Sequence, residues 1–319
     1  MKEKSGFNSL LKAVLQPEGK TFIELWEGDC LEKMKDIPDS TIHLVLTDPP
    51  YFIDGLGEDW NNEKLMNRKS KAGVVGGLPV GMKFDPQQGI NFQKFFEQVS
   101  KQVIRVLVPG GFFLSFSQPR LSHRMMIAAE NSGFEIRDLF AWHYTRRAQF
   151  KAFSQEHFVR KMALTDFDKR NIIRKLQGRK TPQLRPQFEA IMLAQKPKEG
   201  TFVDNWIKWG TGLIDAKKTL EGTTPTTIMT VEKPEKEKYN CHLTVKPVKL
   251  LVHLIELFSK RGQVVLDPFL GSGSTALAAL HTERSCIGIE INKEYFKIAQ
   301  DRIKQFKKGG NDDKAEANG

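Results

Sequence analysis

A chain of 319 residues, 39% hydrophobic and 27% charged, can bury a full core as one large domain or one domain with an insert. It holds no run of 18 apolar residues and no charged start leading into an apolar segment, which argues against a membrane span and a secretory signal. The net charge of +11 favours a polyanionic partner, and three scattered cysteines, Cys30, Cys241 and Cys286, make neither a disulfide framework nor a zinc cage. A soluble protein of a reducing cytosol is expected, with no metal.

In chain order, residues 1–20 read as an extension, and the apolar, β-branched runs 21–26 and 42–47 read as buried strands. Residues 54–91 are long, polar and glycine-bearing, the composition of a mobile loop over a site. A helix is predicted over 92–107, where Phe92, Phe95, Phe96, Val99, Val103, Val106 and Leu107 recur at helical spacing. Strand 111–115, helix 120–131 and strand 135–143 follow. Residues 145–186 then carry twelve Lys or Arg against three acids, an excess that accounts for most of the net charge. Strand 188–194 returns to the apolar pattern, and 197–240, with "NWIKWGTGLID" and several lysines, is a further candidate for base contacts. Helix 248–259, strand 263–266, helix 275–280, strand 286–290 and helix 293–307 complete the alternation, and 309–319 reads as a disordered tail. Apolar strands alternating with amphipathic helices indicate an α/β fold with a largely parallel sheet covered on both faces. In such sheets the chemistry lies at the carboxyl ends of the strands.

Two of those strand ends are chemically distinctive. "LVLTDPPYFIDG", 44–55, sets Asp48, Pro49, Pro50 and Tyr51 at the mouth of a buried strand. A carboxylate, a stiffened backbone carbonyl and an aromatic ring there suit a flat ring bearing an amine. "QVVLDPFLGSGSTALAAL", 263–280, ends a strand at Asp267, turns through Gly271 and Gly273, and opens a helix near Ser274. Glycines let a ligand approach the backbone closely, and a helix start offers free N–H groups. The spacing is not that of a dinucleotide fingerprint. Glu290 ends the next strand, where an acid can accept from two ribose hydroxyls. The pair reads as a site for a nucleoside without a pyrophosphate cradle; the plain alternative is an ordinary glycine turn.

Together these segments resemble the amino-methylating DNA methyltransferases that use S-adenosylmethionine. "TDPPY" at 47–51 is similar to the family's catalytic motif and "DPFLGSGST" at 267–275 to its cofactor loop. "HLTVKP" at 242–247 resembles the family's HPTxKP segment, with Leu243 in place of proline, and the "GDC" turn at 28–30 resembles the family's usual opening. Catalytic motif first and cofactor loop last is the permuted order of the beta subclass, and the resemblance covers about 21–144 and 186–305.

The resemblance implies a Rossmann-like, seven-stranded, mostly parallel methyltransferase sheet with helices on both faces. A basic inserted target-recognition region would be added to it. The expected parts are a catalytic half at 21–144, the insert with one core strand and the recognition region at 145–240, and a cofactor half at 241–308. By the family's pattern Asp48, Pro49, Pro50 and Tyr51 would be catalytic. Asp29, Cys30, Thr244, Lys246, Asp267, Phe269, Gly271, Gly273, Ser274 and Glu290 would hold the cofactor, with Thr244 and Lys246 near its methionine carboxylate. Arg146, Arg147, Lys151, Arg174, Lys175, Arg179 and Lys180 would meet DNA phosphates. The implied activity is methylation of adenine N6 in a flipped base of double-stranded DNA, by an orphan methylase or the modification half of a restriction–modification system. A homodimer, a restriction endonuclease partner and a prokaryotic or phage source go with it. Cytosine N4 is the alternative target, and RNA or protein glutamine a more distant one. Cytosine-C5 chemistry is disfavoured because no Pro-Cys pair supplies a nucleophile.

Overall fold

In a computed structural model, the structure describes residues 21–50, 86–145, 152–182, 184–220, 222–234 and 245–309. The extension 1–20, the span 51–85 and the tail beyond 309 lie outside the described residues. Among the described residues, eight strands form one sheet: β1 (Ile23–Glu27), β2 (Ile42–Thr47), β3 (Leu107–Ser117), β4 (Glu135–His143), β5 (Phe188–Gln195), β6 (Ile228–Thr230), β7 (Val264–Asp267) and β8 (Ser285–Glu290). Their order is β1-β8-β7-β2-β3-β5-β4-β6, and β5 alone runs against its neighbours β3 and β4.

The mostly parallel sheet is thus as expected, with eight strands in place of seven. The extra one, β6, is a three-residue edge strand pairing Ile228 with Ala141. Its "IMT" is too short to show alternation.

Helices cover both faces because the central strands alternate between two buried sides. Leu44, Leu46, Phe112, Leu114 and Phe116 pack with α7 (Val248–Phe258), α8 (Ser274–His281) and α9 (Lys293–Gly309). Val45 and Phe113 point the other way, onto α2 (Pro86–Val106), α3 (Ser122–Asn131) and the short α1 (Cys30–Lys33). Phe92, Phe96, Val99, Val103 and Val106 form the buried stripe of α2, as their spacing predicts. That helix starts six residues earlier than expected, at Pro86, which suits a first helical turn where no N–H partner is needed. Residues 86–91 are therefore helical and not part of the predicted loop.

β3 runs into Pro109–Gly110–Gly111 before its regular pairing begins. Ile42 faces Leu107 but Leu44 faces Phe112, so the strand bulges there. Gly110 has φ +73°, and a Cβ on it would lie 2.3 Å from Asn205 Nδ2. Asn205 belongs to α6 (Phe202–Trp209), a helix with a Thr201/Asp204 capping box and Gly210 in the left-handed region at its end.

The chain leaves β7 for β8 on one side and β2 for β3 on the other. The sheet's topological switch point therefore lies between the ends of β7 and β2, where a crevice must open. Asp267 and Asp48 stand there.

Candidate active site

Asp267 is buried at the end of β7, and its Oδ1 accepts from Thr47 Oγ1 at 2.6 Å and from the Phe269 N–H at 3.1 Å. Burial pushes its carboxyl up to about 6, against the opposing pull of the Thr275 and Thr47 hydrogen bonds. The loop that follows needs its glycines. Gly271 has φ +55°, and a Cβ on it would meet no atom within 4 Å, so its side faces open space. A Cβ on Gly273, φ +89°, would meet Ala299 at 3.0 Å. Phe269 leans on Phe95 of α2, ring centroids 5.9 Å apart.

Glu290 ends β8. Its Oε2 accepts from the Gly271 N–H at 2.7 Å and its Oε1 from the Asn292 N–H at 2.8 Å, which ties the glycine loop to the neighbouring strand. Burial raises its pKa, partly offset by those backbone donors. The Glu290 carbonyl accepts from Gly28 N–H at 3.0 Å, drawing in the end of β1. Asp29 there caps α1, its Oδ1 accepting from the Leu31 N–H at 2.7 Å. Burial pushes the Cys30 thiol up to about 12, so it stays protonated. Asp29, Glu290 and Asp267 thus line the ends of three adjacent strands. Ser274 opens α8, and Arg302 of α9 pins this turn by donating to Ser272 O at 2.7 Å and Ser274 Oγ at 3.3 Å. The sequence gives no warning of Arg302; nothing in a polar helix face marks it.

Across the switch point, Asp48 and Pro49 continue β2, Asp48 partly exposed and Pro49 buried. Tyr51 and Thr244 lie outside the described residues. Lys246, two residues ahead of α7, is buried and pairs with Asp48 Oδ2 and with Glu189 Oε2, the latter at 3.3 Å. The structure therefore places Lys246 on the acid of the first motif. Glu189 also pairs with Lys233 at 3.1 Å. Lys246 lies 5.0 Å from the Phe116 ring centroid, and Lys233 lies 3.9 Å from that of Tyr144. Burial opposes the charge on Lys246, yet Asp48 and Glu189 outweigh it and raise its pKa. Burial likewise opposes the Glu189 charge, and Lys246 and Lys233 prevail and lower its pKa. Glu189 and Lys233 are not among the residues the sequence singles out. The available signal was one acid at the mouth of the apolar strand "FEAIMLAQ".

The basic insert leaves the sheet after His143 and returns at Phe188, and those two residues are paired. It therefore rises from the same carboxyl edge that carries Asp48. A Ser154–Lys180 bridge and the Thr181 N–H to Phe153 O hydrogen bond, 3.1 Å, close its neck. Inside lie α4 (Glu156–Lys161) and α5 (Asp166–Lys175). Arg174, Lys175, Arg179 and Lys180 are exposed; Arg146, Arg147 and Lys151 lie outside the described residues. The "NWIKWGTGLID" stretch sits at the opposite end. Asn205 donates to Pro109 O at 3.1 Å and Gln263 to Gly210 O at 3.0 Å, both at strand starts. Among the described residues no cluster of His, Cys, Asp and Glu could hold a metal, and no helix is long and apolar enough to cross a membrane.

Residues 42–301 match the family model described as DNA methylase, N6_N4_Mtase. The Type II methyltransferase M.HindIII of Haemophilus influenzae is 29% identical over 307 residues, 88% of this chain and 94% of that protein. The DNA adenine methyltransferase YhdJ of Escherichia coli is 26% identical, over 90% of this chain and 83% of that protein. Among solved structures, the cytosine-N4-specific PvuII DNA methyltransferase superposes with a TM-score of 0.59 at 18% identity, over 89% of this chain and 86% of that one. The M1.HpyAVI–SAM complex does so with a TM-score of 0.54 at 22% identity, over 88% of this chain and 99% of that one.

Proposed function

Because the chain belongs to the N6/N4 DNA methylase family, we propose that it methylates the N6 amine of adenine at specific sites in duplex DNA, with S-adenosylmethionine as donor. The reading rests above all on the Thr47–Asp267 hydrogen bond at 2.6 Å. It fastens the strand end that bears Asp48 to the strand end that heads the cofactor loop, so acceptor and methyl donor share one crevice.

The lining suits the donor. Glu290 offers carboxylate oxygens that would accept from ribose hydroxyls, Asp29 offers another acceptor one strand over, and Asp267 offers negative charge to a cationic sulfonium or ammonium. The open side of Gly271 leaves room for the ligand against the backbone. When bound, S-adenosylmethionine supplies an electrophilic methyl group. The residues of this chain do the rest by position and electrostatics.

The exocyclic amine of adenine is a poor nucleophile because its lone pair is delocalised into the ring. Asp48 and the Pro49 carbonyl accept hydrogen bonds from its two N–H groups, which draws the nitrogen toward tetrahedral geometry and frees the lone pair. The Pro49–Pro50 unit fixes the direction of that carbonyl, and Tyr51 stacks on the ring. As the nitrogen–methyl bond forms, the nitrogen loses one proton toward Asp48. A base inside a duplex cannot reach such a crevice, so it must be flipped out. Arg174, Lys175, Arg179 and Lys180, on the same edge of the sheet, grip the phosphates. The likeness to M.HindIII supports a restriction–modification context.

The test is direct. Unmethylated duplex DNA is incubated with the protein and labelled S-adenosylmethionine, digested to nucleosides, and analysed by mass spectrometry. N6-methyl-2′-deoxyadenosine is expected. N4-methyl-2′-deoxycytidine, which the PvuII likeness keeps in view, would move the target but not the chemistry, and label confined to RNA or protein would end the reading.

A further inference from the structure

Four charged side chains from four different segments meet beside the proposed base pocket: Asp48 after β2, Lys246 ahead of α7, Glu189 in β5 and Lys233 after β6. We propose that Lys246 is the positioning residue of Asp48, an ammonium that grips one carboxylate oxygen so that the carboxylate plane stays turned toward the amine, and that Glu189 holds that ammonium in place. This deepens the methyltransferase reading and rests on it.

The geometry supports a clamp. A lysine is a flexible chain with a point charge, and burying it is costly unless its partners are fixed. Here both ends are fixed. Lys246 is 7% exposed, and Pro247 after it starts a buried helix, which removes backbone freedom at the base of the side chain. Its Nζ lies between two carboxylates and over the ring of Phe116, at 5.0 Å from the centroid. Glu189 is anchored in β5, where it pairs with Trp142 of β4, and its other oxygen is taken by Lys233 at 3.1 Å. Lys233 is held in turn over Tyr144 and Trp142, 3.9 and 5.5 Å from their centroids. The chain Lys233–Glu189–Lys246–Asp48 therefore runs from the segment after the edge strand β6 to the carboxylate that ends at the crevice. Asp267, on β7, feels the negative charge of that carboxylate. A carboxylate free to rotate would satisfy the amine in only a fraction of its orientations. A misplacement of about 1 Å can cost on the order of a hundredfold in rate.

The experiment measures kcat, KM for DNA and, by calorimetry, the Kd for S-adenosylmethionine in K246M, K246R, E189Q and the double variant K246M/E189Q. K246M is expected to lower kcat on the order of a hundredfold while the cofactor Kd stays within about threefold of wild type. K246R should recover part of the loss. E189Q should lower kcat by a smaller factor, and adding it to K246M should cost nothing more, because its effect passes through the lysine. Weaker cofactor binding in K246M with kcat preserved would overturn the proposal and make Lys246 a ligand of the methionine carboxylate. Additive losses in the double variant would overturn the chain of action through Glu189. A wild-type protein that transfers no methyl group to DNA would overturn the underlying reading, and this one with it; an active wild type with an unimpaired K246M fails this one alone.

Discussion

Replacing Asp267 by Asn should change how the stability of the protein depends on pH, in a window set by one buried carboxyl. In the folded chain burial raises the Asp267 pKa from 3.8 to about 6. The folded state therefore holds that proton more tightly than the unfolded state does. The stabilising contribution is complete below the unfolded value and is lost as pH rises through the folded one. A rise of roughly two in pKa, at 1.36 kcal/mol for each, makes about 3 kcal/mol between about pH 4 and 6.5. The amide in D267N cannot titrate, so the stability of wild type relative to the variant should fall by about that amount across the window. Glu290, also raised, and Glu189, lowered, titrate in both proteins and cancel in the difference. The variant loses one acceptor on Thr47 or Thr275, which adds an offset without a slope. Urea unfolding of both proteins without cofactor, at half-unit steps of pH, measures the difference. Parallel curves would refute the assignment of a raised pKa to Asp267, and a difference that grows with pH would refute its sign.

The same carboxyl predicts that S-adenosylmethionine binds more tightly as pH rises through about 6, with up to one proton released from it; calorimetry in buffers of different ionisation enthalpy reads the proton, and D267N should release fewer protons than wild type. Asp48→Ala should lower methyl transfer by roughly a hundredfold to a thousandfold, as loss of one positioned hydrogen-bonding group does, with DNA affinity retained in gel-shift titrations. Gly273→Ala should destabilise by about 1–3 kcal/mol, since it adds left-handed strain to a 3.0 Å contact with Ala299, while Gly271→Ala should cost less because its Cβ meets open space; thermal melts rank the two. Replacing Arg174, Lys175, Arg179 and Lys180 together by Ala should reduce the slope of log affinity for DNA against log salt by up to about four, and an unchanged slope would place the phosphate contacts elsewhere.

Those four cations are visible in the sequence because they are solvated and crowd together where acids are scarce. The central strands are visible for the opposite reason. Leu44, Val45 and Leu46 are buried on both faces of the sheet, so burial leaves an apolar run there. Asp48 and Asp267 each end such a run, but it is the family resemblance of the two motifs that joins them across the 220 positions separating Thr47 from Asp267. Where two signals lie in one stretch, the sequence does not rank them. Thr201, Asp204 and Gly210 spell a capped helix beside tryptophans and lysines, and only tertiary packing shows Asn205 docked under β3. β6 fails for want of length. The four-residue chain from Lys233 to Asp48 is hidden in a different way. Its members lie on four segments, and no pattern within any one of them records the others. A buried lysine adds the same +1 to composition as a solvated one, yet the charges on the insert act on a partner through water, and the charge on Lys246 acts on a single carboxylate. The first kind of charge is counted along a sequence; the second becomes legible only once the sheet has brought β2, β5 and the start of α7 to one edge.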